Sequence, residues 1–265
     1  MADIAEIRVG SWIELIDELY RDAWDEAIRR HRSPYVFRGC ALVSACLQTT
    51  LQRMGYESDQ LTCIETQIAR NFRKYAHRHQ EDKSLYNWLA LAQHHGLQTR
   101  LLDWTYSPLV ALHFMTEDMS KEHEDGVVWC INHRRTLEYV PEKLREIAKQ
   151  SGANAFTPEM IDDVAPHFED LPKLGEQPYV LFLEPPTLDP RIESQFALFS
   201  MMSDPRCDLQ KWLQARPDLA KRIVVPSSLK WEVRDKLDQS GITERLLYPG
   251  LDGLARWMSR YYRPR

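Results

Sequence analysis

The chain has 265 residues, of which 43% are hydrophobic and 28% are charged, as in an ordinary globular protein. Its net charge of −5 argues against a dedicated nucleic-acid binder, which is normally basic. No stretch approaches about 18 apolar residues and no apolar run follows a basic start, so we expect neither a membrane span nor a signal peptide. Five cysteines without a C-x-x-C pair indicate reduced thiols, and hence a cytoplasmic protein.

The first part of the chain is predicted to be mainly helical. A capping-box sequence and a broad apolar stripe predict a helix over 11–28, which we assign to an N-terminal capping segment, 1–32. The residues YVF at 35–37 predict a short strand. Helices are expected over 42–54, where the sequence reaches a glycine, and over 61–75, where apolar residues recur every three or four positions.

Most of the predicted strands come later. The sequence GVVWCIN at 126–132 predicts one strand, and YVLFLEPP, which begins at residue 179, predicts a buried strand closed by its prolines. The polar stretch 134–178 is interpreted as an insertion over the core. Helices early and strands late predict an α+β fold, with a single domain over 33–262.

Arg38 and Gly39 end the first predicted core strand, in the sequence YVFRG. This position delivers a guanidinium group to the edge of a cleft, and its planar fork suits phosphate or carboxylate. Gly39 allows a backbone or a ligand to approach closely. Alternatively, Arg38 is a buried side chain that supports a helix end or pairs with Asp103.

A second group of polar residues lies in QHHGLQTRLLDWT, residues 93–105. His94 and His95 cannot both face one side of a helix, and an HH pair alone gives little support for a metal site; either one could instead cap the helix. The polar and apolar residues of 99–105 alternate, as in a strand with one wet face. We expect Arg100 or Arg38 to pair with Asp103 and keep the wall of the cleft rigid.

A third candidate pair is Glu193 and Gln195, in the sequence RIESQFALFS. Two residues apart in a strand, these side chains share a face and could hold the hydroxyl groups of a sugar. The alternative is an edge strand with solvated polar residues. The sequence contains no P-loop, G-x-G-x-x-G, H-E-x-x-H or G-x-S-x-G motif.

Four ordered stretches of the sequence resemble landmarks of the FRG domain family. They are VFRG, LAQHHGLQTRLLDWTYSPLVALHF, RIESQFALFS and LLYPGLDGLA, and together they extend over about residues 33–258. The resemblance implies a bacterial or phage protein, typically from a mobile or defence-related context. It does not imply a settled activity.

The order of these landmarks is also similar to ADP-ribosyltransferases of the arginine–serine–glutamate type. That resemblance implies a split, mixed or antiparallel sheet core in which Arg38 holds a phosphate of NAD and Thr105 braces the site. Glu193 or Gln195 would bind the ribose, and Trp104 or Tyr106 would stack on nicotinamide. The family pattern makes Gln195 the expected position, but only Glu193 carries the negative charge that stabilises an oxocarbenium-like transition state.

The leading hypothesis is therefore an enzyme that uses NAD to modify an intracellular macromolecule, or that depletes NAD, as a toxin or in antiviral defence. His94 or His95 would contact the ribose or the acceptor, and Gly39, Arg100 and Asp103 would line the NAD site. The second hypothesis is a non-catalytic module that recognises a nucleotide or a protein within a defence or toxin–antitoxin assembly. A third is a hydrolase or nuclease built on His94, His95 and Asp103.

Overall fold

The structure is a computed structural model that describes residues 3–78, 84–186 and 190–264. Its strands are β1 (Ala5–Arg8), β2 (Trp24–Asp25), β3 (Arg30–His31), β4 (Tyr35–Cys40), β5 (Leu101–Thr105), β6 (Gly126–Asn132), β7 (Val180–Leu183), β8 (Ala197–Met202) and β9 (Ala220–Val225). Its α-helices are α1 (Trp12–Tyr20), α2 (Leu61–Ala76), α3 (Leu85–His94), α4 (Pro108–Glu117), α5 (His133–Thr136), α6 (Glu142–Ser151), α7 (Pro158–Asp162), α8 (Pro190–Ser194), α9 (Leu209–Gln214), α10 (Ser227–Gln239), α11 (Glu244–Leu247) and α12 (Leu251–Tyr261).

Seven of these strands form one sheet, in the order β1-β9-β6-β4-β5-β8-β7. The edge strand β1 runs parallel to β9, and the other neighbours are antiparallel. The predicted α+β class is therefore confirmed, with a mixed sheet and many helices. Among the described residues, no helix is long and apolar enough to cross a lipid bilayer.

The sheet is covered on both faces, which explains why the sequence of β6 is almost continuously apolar. Val128 and Cys130 pack with α4 and α10, whereas Val127 and Trp129 pack on the opposite face with α9. A strand buried on both sides needs apolar residues at successive positions. The segment 134–178 contributes to a further core cluster, in which Phe156 packs with residues of β7 and β8.

Two predicted helices are wrong in extent or kind. The helix predicted over 11–28 begins after its Ser11 cap but ends at Tyr20, and a small β2–β3 hairpin follows, with Trp24 half exposed. The segment 42–54 forms only a short 3₁₀ turn near its end. Leu47 and Leu51 are fully buried four positions apart, which imitates a helical stripe. The Leu51 amide instead donates to the Thr99 carbonyl at 3.1 Å.

The sheet opens between β4 and β5. β4 pairs with β6 at six positions but with β5 only where Phe37 lies opposite Thr105. Beyond that pair α4 crosses β4 so closely that a Cβ atom on Gly39 would lie 1.8 Å from the Ala111 carbonyl oxygen. Only glycine at position 39 allows α4 to pack this closely on β4, and this contact lies beside the opening in the sheet.

We expect Gly39→Ala to lower the free energy of unfolding by at least about 2 kcal/mol, because the new methyl group overlaps backbone that must move. Gly10→Ala is the control, since a Cβ there meets Glu14 at an ordinary 3.4 Å. It should change stability by less than about 0.5 kcal/mol. Urea unfolding of both variants measures the difference, and equal effects would contradict the close packing of α4 on β4.

Candidate functional site

A cavity of about 430 Å³ lies at the opening between β4 and β5. Most of its lining comes from three distant parts of the chain: the end of β4, the α3–β5 region and the segment around α8. Its polar lining includes Arg38, Gln93, His94, Asp103, Arg191 and Gln195. We call this cavity the opening pocket. It brings Arg38 together with Asp103 and Gln195, whereas Thr105 and Glu193 lie outside its lining.

A second, larger cavity of about 650 Å³ lies near the start of β4. Two polar groups at its wall pair with neighbouring carboxylates. Arg134 lies 3.3 Å from the Asp25 carboxylate, and the Tyr106 hydroxyl donates to Glu184 at 2.9 Å. The opening pocket is the better candidate site because Arg38, Asp103 and Gln195, from three separate parts of the chain, meet in its lining.

Arg38 reaches across the opening to β5. Its Nη1 donates to the main-chain oxygen of Asp103 at 2.6 Å and lies 3.8 Å from the Asp103 carboxylate. Its Nε is buried and has no hydrogen-bond partner within the described residues. The main-chain contact thus fixes the guanidinium, and because its side chain is 22% exposed, other N–H groups of the five remain for a ligand.

Asp103 supplies the carboxylate that lines the opening pocket, and its side chain is 60% exposed. Gln93 Nε2 donates to both carboxylate oxygens, at 3.1 and 3.0 Å. Thr99 Oγ1 in turn donates to Gln93 Oε1 at 2.5 Å. Gln93 was not selected from the sequence, although it directly precedes the histidine pair. The neutral amide of Gln93 therefore fixes the orientation of the Asp103 carboxylate.

The two histidines separate at the end of α3. His94 is the last residue of the helix and lines the opening pocket, whereas His95 forms the C-cap and is exposed outside the lining. Gly96 follows with φ of 81° and ends the helix. His94 and Asp103 thus share the pocket without His95.

Arg100 lies away from the opening pocket, so the structure does not bring this residue to the expected NAD site. Its Nε donates to both carboxylate oxygens of Glu65 at 2.7 Å, and its Nη1 donates to the Ser203 carbonyl at 3.3 Å. Its guanidinium also lies 4.9 Å from the centre of the Phe168 ring. Arg100 is buried and links α2 to the sheet, and Arg38 is the arginine beside Asp103.

The polar groups at the end of β5 are also engaged. Thr105 is buried, donates to the Gln195 main-chain oxygen at 2.8 Å and accepts from the Ser107 amide. The indole of Trp104, which contacts the opening pocket, donates to Ser200 at 2.8 Å. Tyr106 lies at the second cavity, where burial and the neighbouring Glu184 raise its pKa. Thr105 therefore positions Gln195, and the two aromatic rings are fixed by their own contacts.

The predicted strand containing Glu193 and Gln195 is wrong, because α8 extends to Ser194 and β8 begins only at Ala197. Phe196 has a φ of 48°, which turns the chain between the two elements. The two side chains consequently do not share a strand face. Glu193 is exposed outside the lining, whereas Gln195 lines the opening pocket and donates to the Leu247 carbonyl at 2.9 Å.

The closing segment LLYPG supports this wall of the pocket. The Arg191 guanidinium lies 4.8 Å from the centre of the Tyr248 ring, and Leu247 accepts the bond from Gln195. The segment contains no chemical motif that would assign it to the site, and in the sequence it is only the last of the family landmarks.

A buried charge network anchors the closing segment. Glu244 accepts from Arg234 at 3.0 Å and from Arg260 at 2.5 and 2.8 Å. Although burial opposes ionisation, the hydrogen bonds from Arg260 and the charge of Arg234 lower the pKa of Glu244 to about 2. Arg234 also lies 3.0 Å from Nδ1 of His113, whose pKa falls to about 3 mainly because of burial. α11 is thus tied to α4, α10 and α12.

Residues 33–124 match the FRG domain family. This range includes Arg38, Gln93, His94 and Asp103, and ends before Arg191 and Gln195, so two of the three segments of the opening pocket belong to the matched region. No curated protein and no solved structure matches the chain.

We expect the charge network around Glu244 to lose its stabilising effect in acid. Because the pKa of Glu244 is lowered on folding to about 2, the stabilisation is complete above an unfolded-state value of about 4.3 and is lost as pH falls toward 2. Glu244→Gln should therefore lower the free energy of unfolding at pH 7 by about 3 kcal/mol. Between pH 4 and pH 3, the free energy of unfolding of this variant should fall less than that of the wild type.

Urea unfolding at pH 7, 4 and 3 measures this effect, with the exposed Glu232→Gln on α10 as the matched control. The control should behave as the wild type. The same acid sensitivity in Glu244→Gln and in the wild type would contradict the assignment.

Proposed function

We propose that the opening pocket recognises a nucleotide such as NAD or ADP-ribose by its phosphates. The observation that supports this most strongly is Arg38, which lines the pocket and is fixed on the Asp103 main chain through one Nη1 hydrogen bond. A guanidinium held in this way offers hydrogen bonds to the oxygens of a phosphate without first having to be ordered.

The guanidinium groups in the lining suit an anionic ligand. Arg38 and Arg191 both line the pocket, beside the carboxylate of Asp103. Guanidinium groups bind phosphate oxygens through charge-assisted, often paired hydrogen bonds. A nucleotide would therefore be favoured over a cationic ligand of similar size.

The remaining wall suits the flat part of a nucleotide. Leu97 and Phe114 are partly exposed in the lining, and Ile192 and Phe199 contribute further apolar surface. An apolar wall with a few convergent polar groups is typical of small-molecule sites, whose volumes run from about 300 to 1,000 Å³. The volume of about 430 Å³ lies in that range.

Recognition without transfer agrees best with the position of Gln195. Cleavage of the nicotinamide–ribose bond needs negative charge near the forming cation. Glu193, which could supply it, lies outside the lining, and the neutral Gln195 lies inside. The protein would then act as a nucleotide-recognition module, and the family resemblance suggests a bacterial or phage defence or toxin–antitoxin assembly.

ADP-ribosyl transfer to a macromolecule remains the second candidate because one observation favours it. Asp103 brings a carboxylate into the same pocket as Arg38. In that mechanism Arg38 would hold the pyrophosphate and Asp103 would stabilise the cation, in place of the late glutamate of the enzymes that the sequence resembles.

Arg38→Ala tests the recognition proposal. NAD, ADP or ADP-ribose at 100 times its dissociation constant should stabilise the wild type by about 2.7 kcal/mol in a thermal-shift measurement. In Arg38→Ala the affinity should fall about 10- to 100-fold, because a charge-assisted hydrogen bond is lost. The unliganded variant should lose only about 1 kcal/mol of stability, since Arg38 makes one strong internal hydrogen bond.

Arg100→Met provides the matched arginine control. It leaves the buried Glu65 carboxylate without its partner, and should therefore destabilise the fold by about 3 to 5 kcal/mol. Undiminished binding by Arg38→Ala, or a wild type that none of the three ligands stabilises, would contradict the recognition proposal.

Nicotinamide release from NAD separates recognition from transfer. A pure recognition module releases none above a blank without protein. If the wild type does release nicotinamide, Asp103→Asn should reduce the rate at least about 100-fold, as does removal of other transition-state charge stabilisation. Glu193→Gln should leave the rate unchanged, and a large loss in that variant would restore Glu193 as the catalytic carboxylate.

A further inference from the structure

We infer that Asp103, oriented by Gln93, binds the neighbouring hydroxyl groups of a ribose, so that the opening pocket selects ribonucleotides over deoxyribonucleotides. This inference rests on the proposed nucleotide recognition and names the part of the ligand that the carboxylate contacts. It depends on three features: the spare acceptor capacity of Asp103, the fixed orientation of Gln93 and the closeness of Arg38.

The Asp103 carboxylate has acceptor capacity left for a ligand. An ionised carboxylate offers about four lone-pair sites on its two oxygens. A single nitrogen, Gln93 Nε2, contacts both oxygens, and Arg38 Nη1 is 3.8 Å away, which is beyond hydrogen-bond distance. With its side chain 60% exposed, Asp103 can accept one hydrogen bond on each oxygen from a ligand.

The orientation of Gln93 keeps this group an acceptor. The Leu101 amide donates to Thr99 Oγ1 at 3.1 Å, and the Thr99 hydroxyl donates onward to Gln93 Oε1. The Gln93 oxygen is thereby engaged, and its NH₂ group faces Asp103. A chain of donors that begins at the β5 backbone thus ends on the carboxylate, and a ligand must bring O–H or N–H groups to it.

Arg38 determines which donors are suitable. Its Nη1 lies 3.8 Å from Asp103 Oδ2, so the group that binds Asp103 sits beside the group that binds Arg38. A cationic donor would be repelled by the neighbouring guanidinium. A ribose phosphate carries neutral hydroxyls next to a phosphate, and carboxylates contact the ribose 2′-hydroxyl in dinucleotide-binding sites of other folds. The adjacent pair of charges therefore matches a ribonucleotide.

Paired titrations with ADP and 2′-deoxy-ADP test this inference. The wild type should bind ADP roughly tenfold more tightly, because the lost hydrogen bond is to a charged but partly exposed group. Asp103→Asn should bind both nucleotides with affinities within about twofold of each other, because the side chain loses its negative charge and keeps a single oxygen, which the Gln93 NH₂ group engages. Glu193→Gln, an exposed carboxylate outside the lining, should keep the tenfold preference.

The outcomes distinguish this inference from the function on which it rests. Equal affinity of the wild type for ADP and 2′-deoxy-ADP overturns ribose selection and leaves phosphate recognition by Arg38 standing. A preference that persists in Asp103→Asn also overturns it, because another residue then contacts the ribose. Failure of the wild type to bind either nucleotide overturns both proposals.

Discussion

The interruption of strand pairing between β4 and β5 creates the site. Phe37 and Thr105 hold the two strands together at one position, and past that point α4 lies against Gly39 at a distance that leaves no space for a side chain. An open edge inside a sheet exposes backbone carbonyls that need donors. Arg38 supplies one such donor, because its Nη1 binds the Asp103 carbonyl oxygen. The same guanidinium lines the opening pocket.

Arg100 and Arg38 have different tasks, and their partners account for this. Arg100 is enclosed with Glu65 and is therefore part of the scaffold. Arg38 has only a main-chain oxygen as a close partner, and a buried Nε with no partner within the described residues. The carboxylate beside it, Asp103, is held by the neutral Gln93. Scaffold charges are thus neutralised, whereas the charges of the pocket keep capacity for a ligand.

The sequence predicted the α+β class, the long helix now seen as α2, and the polar stretches that line the pocket, because periodicity and local chemistry determine these features. It missed what distant contacts decide. Leu47 and Leu51 imitate a helix although the Leu51 amide bonds to Thr99. The turn at Phe196, with φ of 48°, separates Glu193 from Gln195. The partner of Arg100 lies 35 residues away, a pairing that spacing along the chain does not reveal.

A crystal of the protein soaked with ADP-ribose shows where the nucleotide binds relative to the opening between β4 and β5. We expect a phosphate within hydrogen-bond distance of the Arg38 guanidinium and a ribose against Asp103. Ligand density bound elsewhere, for instance in the cavity beside Tyr106, with the opening pocket empty at a saturating concentration, would contradict this expectation.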